Sequence, residues 1–177
     1  MQEKNDTISL KAYLLILIIG IGIVIMIDEW QSNSVKKAVS DSKKEWAIQK
    51  EQENQLLEYN CKICFDAVRE GTKYGRGEQI LDNPVLQAEK YEIVDNRCQI
   101  YVKNISKYSI SFKGYLKYTT DKGVTKELFL DHPTQAIQEQ EIVELKYWGY
   151  DDFRKEKLNT AKVITKQGAS GFEYEIR

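Results

Sequence analysis

Residues 12–27 read AYLLILIIGIGIVIMI, sixteen residues without a charge in a chain whose charged residues otherwise make up 30% of its length. As a helix this run is about 24 Å long, somewhat short of the ~30 Å hydrocarbon core of a bilayer. Ile8, Ser9 and Leu10 lengthen it, and Lys11 can lay its methylenes along the helix with its ammonium among the headgroups. Tyr13 and Trp30 stand near the two ends, where amphipathic rings favour the interface. The expectation is a single-pass signal-anchor helix over residues 8–28, with the lipid bilayer as its partner. A cleaved export signal fits less well, since the far end reads MIDEWQSNS where such a signal carries small-x-small. A core helix fits less well still, because no face of the run is polar.

Orientation follows from the flanking charges. Lys4 and Lys11 precede the span, whereas Asp28 and Glu29 follow it at once, and Lys36, Lys37, Lys43 and Lys44 come only later. The nearest charges place the N-terminus inside and the bulk of the chain outside the cytoplasm.

The remaining length accommodates one ordinary domain and a connector. A formal net charge of −1 in 177 residues gives no field to attract a polyanion, so no nucleic-acid partner is expected. Residues 29–60 read as a helical stalk, free of Gly and Pro and dense in Lys, Glu, Gln, Ala and Ser. A heptad on Val35, Val39, Ser42, Trp46, Gln49, Glu53, Leu56, Asn60 and Ile63 has apolar residues at only five of its nine seam positions. That predicts weak homo-oligomerisation at most. A second, shorter helix is expected over residues 56–69, with Leu57, Cys61, Cys64, Phe65 and Val68 at spacings of three and four; it ends at Gly71, and residues 61–89 are read as this short helix and a connecting loop. The glycines at 71, 75 and 77 match no phosphate-binding spacing.

From residue 90 to 177 the period changes to two. Cys98, Ile100 and Val102 share one face of a strand, and Ile110, Phe112, Gly114, Leu116 and Tyr118 share one face of a longer strand. Asp121-Lys122-Gly123 reads as a reversal with positive φ at the glycine, leading into 124–130. Runs at 141–148, 161–166 and 172–176 follow, the last two joined by QGASG. The fold class expected is α+β: a transmembrane helix, a helical stalk and a small antiparallel β-sandwich.

The order Val102-x-Asn104-x-Ser106, an apolar strand ending near Tyr118, the Asp121-Lys122-Gly123 turn and a strand over 142–147 resembles the small immunoglobulin-like domains of the FxLYD type on bacterial cell surfaces. Leu116-Lys117-Tyr118 stands where that family has Leu-Tyr-Asp. The resemblance implies a non-catalytic module outside the cytoplasm, anchored in the bacterial inner (plasma) membrane, with a protein or envelope partner.

Cys61, Cys64 and Cys98 are the only cysteines and His132 the only histidine. Together they could complete a zinc shell, yet structural zinc sites gather their ligands in two compact pairs. In an oxidising compartment a disulfide from Cys98 to Cys61 or Cys64 is the better use, fastening the helix to the first secure strand. A redox CxxC lacks its βαβ setting, and three buried apolar thiols remain a further reading. Tyr101, Lys103, Lys113, Tyr115 and Lys117 are expected on a single face of adjacent strands, an interaction face or a solvated one. Asn104-Ile105-Ser106 satisfies the glycosylation sequon, and Asp151-Asp152 lies in a charged loop. With one His and no nucleophile or metalloprotease motif, no enzymatic activity and no cofactor are expected. The alternative to the exported module is a cytoplasm-facing anchored protein binding zinc or nucleic acid.

Overall fold

A computed structural model describes residues 10–77, 85–131, 136–148 and 153–177. The start of the expected span at Ile8 and Ser9, together with His132 and Asp151-Asp152, lies outside these residues.

The helix α1 runs Leu10–Lys73, 64 residues in one piece. It contains no proline, and its glycines are Gly20, Gly22 and Gly71, so little in it can stop propagation. The expected membrane segment, stalk and second helix are therefore one element, and it continues two residues past Gly71. Near its N-terminus α1 carries the one stretch among the described residues that is long and apolar enough to cross a membrane, and none of that stretch is buried. The chain divides into two compact units, Met1–Gln49 and Lys50–Arg177.

In the second unit the helix joins the core. Leu57, Asn60, Cys61, Cys64, Ala67, Val68 and Thr72 are buried, a stripe at spacings of three and four that lies along one helical face. The β region begins before residue 90, with β1 (Arg76–Gly77) and β2 (Leu86–Val94). It continues through β3 (Arg97–Asn104), β4 (Ile110–Thr120), β5 (Thr125–Asp131), β6 (Ile142–Glu144), β7 (Lys146–Trp148), β8 (Leu158–Ile164) and β9 (Glu173–Ile176). The boundary expected at residue 90 moves to Lys50 because the buried helical stripe supplies one wall of the core.

Two sheets form. One has the order β2-β3-β6 and is antiparallel. The other has six strands, in which the long β4 takes β5 along one edge and both β9 and β8 along the other. β9 covers Ile110–Lys113 and β8 covers Tyr115–Thr120; β1 adds to β9 in parallel and β7 to β5 antiparallel. The run at 141–148, expected as one strand, changes sheet at Leu145, which is buried and whose N–H donates to Ile100 O at 2.7 Å. Phe112, Leu116, Leu130 and Tyr174 of the larger sheet, Phe172 just before β9, and Leu86, Ile100 and Val102 of the smaller sheet meet the helical stripe in a single cluster.

Gly71 stands where α1 crosses β8. A Cβ at this position would lie 2.6 Å from the Cβ of Val163, so the residue permits the close crossing and does not end the helix. Gly71→Ala sets about 1 kcal/mol of gained helix propensity against an overpacking cost of about 1–3 kcal/mol. The contact is to a branched side chain near its root, which has little room to yield. The expected outcome is a net loss of about 1–2 kcal/mol in urea denaturation; a more stable variant would contradict the close crossing.

Candidate interaction face

On β4 the inward residues alternate with Ser111, Lys113, Tyr115, Lys117 and Thr119 on the outer face. On β5 the same alternation turns Phe129 outward between the buried Leu128 and Leu130. The register sets Lys113 opposite Asp131, Tyr115 opposite Phe129 and Lys117 opposite Glu127. The Tyr115 and Phe129 rings are 5.3 Å apart at 52°, a cross-strand aromatic pair. On the other side of β4, Ile164 is the partner of Tyr115 and Lys162 that of Lys117.

The 165–170 turn closes one end of this face. Thr165 N–H donates to Ala169 O at 2.7 Å, Ala169 N–H to Thr165 Oγ1 at 3.2 Å, and Gly168 takes φ of 81°. Tyr115, Lys117, Glu127, Ile164 and this turn enclose a groove of about 470 Å³. Both lysines that β4 contributes here are matched by carboxylates: Lys117 with Glu127 at 3.2 Å and Lys113 with Glu173 at 3.4 Å. Such a face offers phosphate little net attraction, but it offers a partner an aromatic centre with a polar border.

Tyr101 and Lys103 do not join it. They lie on β3 in the smaller sheet, so the five residues expected on one face form two separate groups. The cause is Asn104, buried at the end of β3. Its Nδ2 donates to Tyr108 O at 2.7 Å and Ile137 O at 2.9 Å, while its Oδ1 accepts from Ser106 N–H at 2.9 Å and Ser106 Oγ–H at 2.8 Å. This clamp holds the 105–109 loop as a crossing between sheets where a hairpin would have made β3 and β4 neighbours. The same burial removes the Asn104 amide from glycan attachment in the folded unit.

Around Tyr101, its hydroxyl donates to Gln99 Oε1 at 3.0 Å and the Lys90 ammonium lies 4.9 Å from its ring centre. Lys90 also bonds Glu92 at 2.7 Å, which raises the pKa of the lysine and lowers that of the carboxyl. Lys90 and Glu92 are exposed and paired with each other.

Cys61 is bonded to Cys98, with the Cα atoms 5.5 Å apart, a usual span for a disulfide. Cys64 lies outside that bond, one helical turn on, and is buried. Of the four side chains weighed as zinc ligands, two are thus joined to each other and His132 lies outside the described residues. No group of three or more His, Cys, Asp or Glu able to hold a metal occurs among the described residues.

The glycines at 71, 75 and 77 do not form a cradle. A Cβ on Gly75 would overlap the Tyr174 ring, and Arg76 N–H donates to Phe172 O at 2.7 Å as β1 joins β9. Gly171, at φ of 99°, presses against the backbone of Tyr74 and Gly75. The chain fills this space itself, and burial pushes the Tyr174 hydroxyl pKa up.

A second groove, about 450 Å³, lies between Ile63 and Ala67 of α1, Tyr74 just after it, and Ala161 and Val163 of β8. Its carboxylates, Asp66 and Glu70, are ion-paired on the exposed helix surface with Lys62, Arg69 and Lys73. That is the setting of solvated, mutually paired charges. No family model matches the chain, and comparison with characterised proteins and with solved structures gives no match either.

Proposed function

We propose that this is a single-pass, membrane-anchored, non-catalytic protein whose β unit is an immunoglobulin-like module. It faces the oxidising side of a bacterial plasma membrane and offers the Tyr115–Phe129 face to a protein or other envelope partner. The observation that carries the reading is the Cys61–Cys98 bond. Disulfides buried in a core persist in exported domains, whereas cytosolic thiols are held reduced. The apolar run of α1 supports the anchor, and the charges that flank it agree with export of the chain beyond Ile27.

Thiol counting on full-length protein extracted with a trapping alkylator tests this. One thiol should react after denaturation without reductant, and three after reduction. A reporter fused after Arg177 should be active on the outer side only. Three thiols without reductant, together with stoichiometric zinc, would instead establish the cytoplasm-facing alternative.

A further inference from the structure

Residues 13–52 of α1 are exposed on every side, and among them Val35, Val39 and Trp46 keep 61%, 49% and 64% of their surface in contact with solvent. An isolated helix in water draws little stability from propensity alone and relies on covering an apolar face. From the exposure of this seam and the charges beside it, we infer that residues 35–50 pair with the same residues of a second copy, parallel and in register, as a short tether-dependent coiled coil. The inference rests on the membrane anchor proposed above, but not on which side of the membrane the β unit faces.

The heptad fixes the orientation. With Val39 and Trp46 at a, and Val35, Ser42 and Gln49 at d, Lys36, Lys43 and Lys50 fall at e, and Gln31, Ala38, Glu45 and Gln52 at g. In a parallel pair each g position faces the e position five residues on in the partner. Glu45 then meets Lys50 of the second copy, Lys36 meets Gln31 and Lys43 meets Ala38, with no like charges opposed at these flanking positions; Glu53, the next a position, would face its own copy, so the pairing ends before it. In an antiparallel pair e faces e, and the three lysines confront one another. Charge therefore selects the arrangement that two chains anchored in one bilayer must adopt.

The seam is short. Among the later seam positions Glu53 would meet its own charge, Leu56 is already half-buried and Asn60 is buried within its own β unit, which leaves residues 35–50 for a partner. Three apolar side chains per helix cover a few hundred Å², well below the ~1,200 Å² of a stable interface. Pairing then depends on the raised local concentration that confinement to a membrane provides, and it should dissolve on dilution in detergent.

The test uses the full chain in membranes. Ser42→Cys and Ser40→Cys are near-isosteric changes at exposed positions, the first at d and the second at b on the outer side. Mild oxidation should give at least about fivefold more cross-linked dimer from Ser42→Cys than from Ser40→Cys. In the Ser42→Cys background, Glu45→Lys should lower the yield, and adding Lys50→Glu should restore it. Equal yields from the two positions, no dimer from either, or a charge swap that fails to restore would overturn the pairing. Alkaline carbonate washing of the same vesicles tests the anchor separately: release of the chain defeats the anchor whatever the cross-linking shows.

Discussion

Asn60→Leu should destabilise the β unit by about 3–5 kcal/mol, since two buried backbone groups and a part-buried one lose their partner at once. Asn60 Nδ2 donates to Phe153 O and to Glu156 O, both at 2.7 Å, and its Oδ1 accepts from Leu158 N–H at 2.9 Å. Leucine has a similar volume, so packing changes little and the loss reports on the polar clamp. Urea denaturation with an unchanged slope and a shifted midpoint is the readout; a loss below about 1 kcal/mol would show that the 153–158 turn holds itself. Asn60→Asp sharpens the test. An ionised carboxylate would face two carbonyl oxygens, so the folded state favours the protonated acid and raises its pKa. Relative to the parent, the stability of that variant is greatest below the ordinary aspartate value of about 3.9 and is lost as pH rises through the higher folded value.

Removal of the disulfide should have an effect of comparable size. Cys61 and Cys98 are 37 residues apart, and chain-entropy reasoning assigns a loop of that length a stabilisation of about 4 kcal/mol. Cys98→Ala is the better variant, because Cys64 cannot then substitute for Cys61. Denaturation without reductant should show the variant about 3–4 kcal/mol below the parent, and addition of reductant should lower the parent to nearly the same level. A parent indifferent to reductant would contradict the bond, and with it the argument for an oxidising compartment.

Much of this architecture can be read from sequence, and the parts that cannot share a physical cause. The strands with one buried face, β3, β4 and β5, announce themselves by alternation, and Gly123 takes the positive φ its turn demands. β2 does not, since as an edge strand it has only Leu86 buried and is irregular between Ala88 and Lys90. The crossing at Leu145 is equally silent, because a strand that changes sheets keeps its alternation. For the candidate face, Lys113, Tyr115 and Lys117 follow from the period of β4, whereas Tyr101 and Lys103 are assigned wrongly by assuming that consecutive strands pair. Phe129 was within reach as the outward aromatic between two buried leucines. The roles of Asn60 and Asn104 were not, because an asparagine that clamps distant backbone looks the same in sequence as one in solvent.

The pairing of Arg76 with Glu173 bears on how the unit matures. The first strand after the helix waits for β9, which follows all the other described strands in chain order, so a nascent chain emerging from ribosome or translocon has no native neighbour for residues 76–77 until residues 173–174 have emerged. Gly75 stays uncovered and the Ile110–Lys113 half of β4 lacks an edge until then. Closure is therefore a late, nonlocal step, and truncation before Phe172 leaves an open, sticky half-sheet that quality-control proteases should recognise.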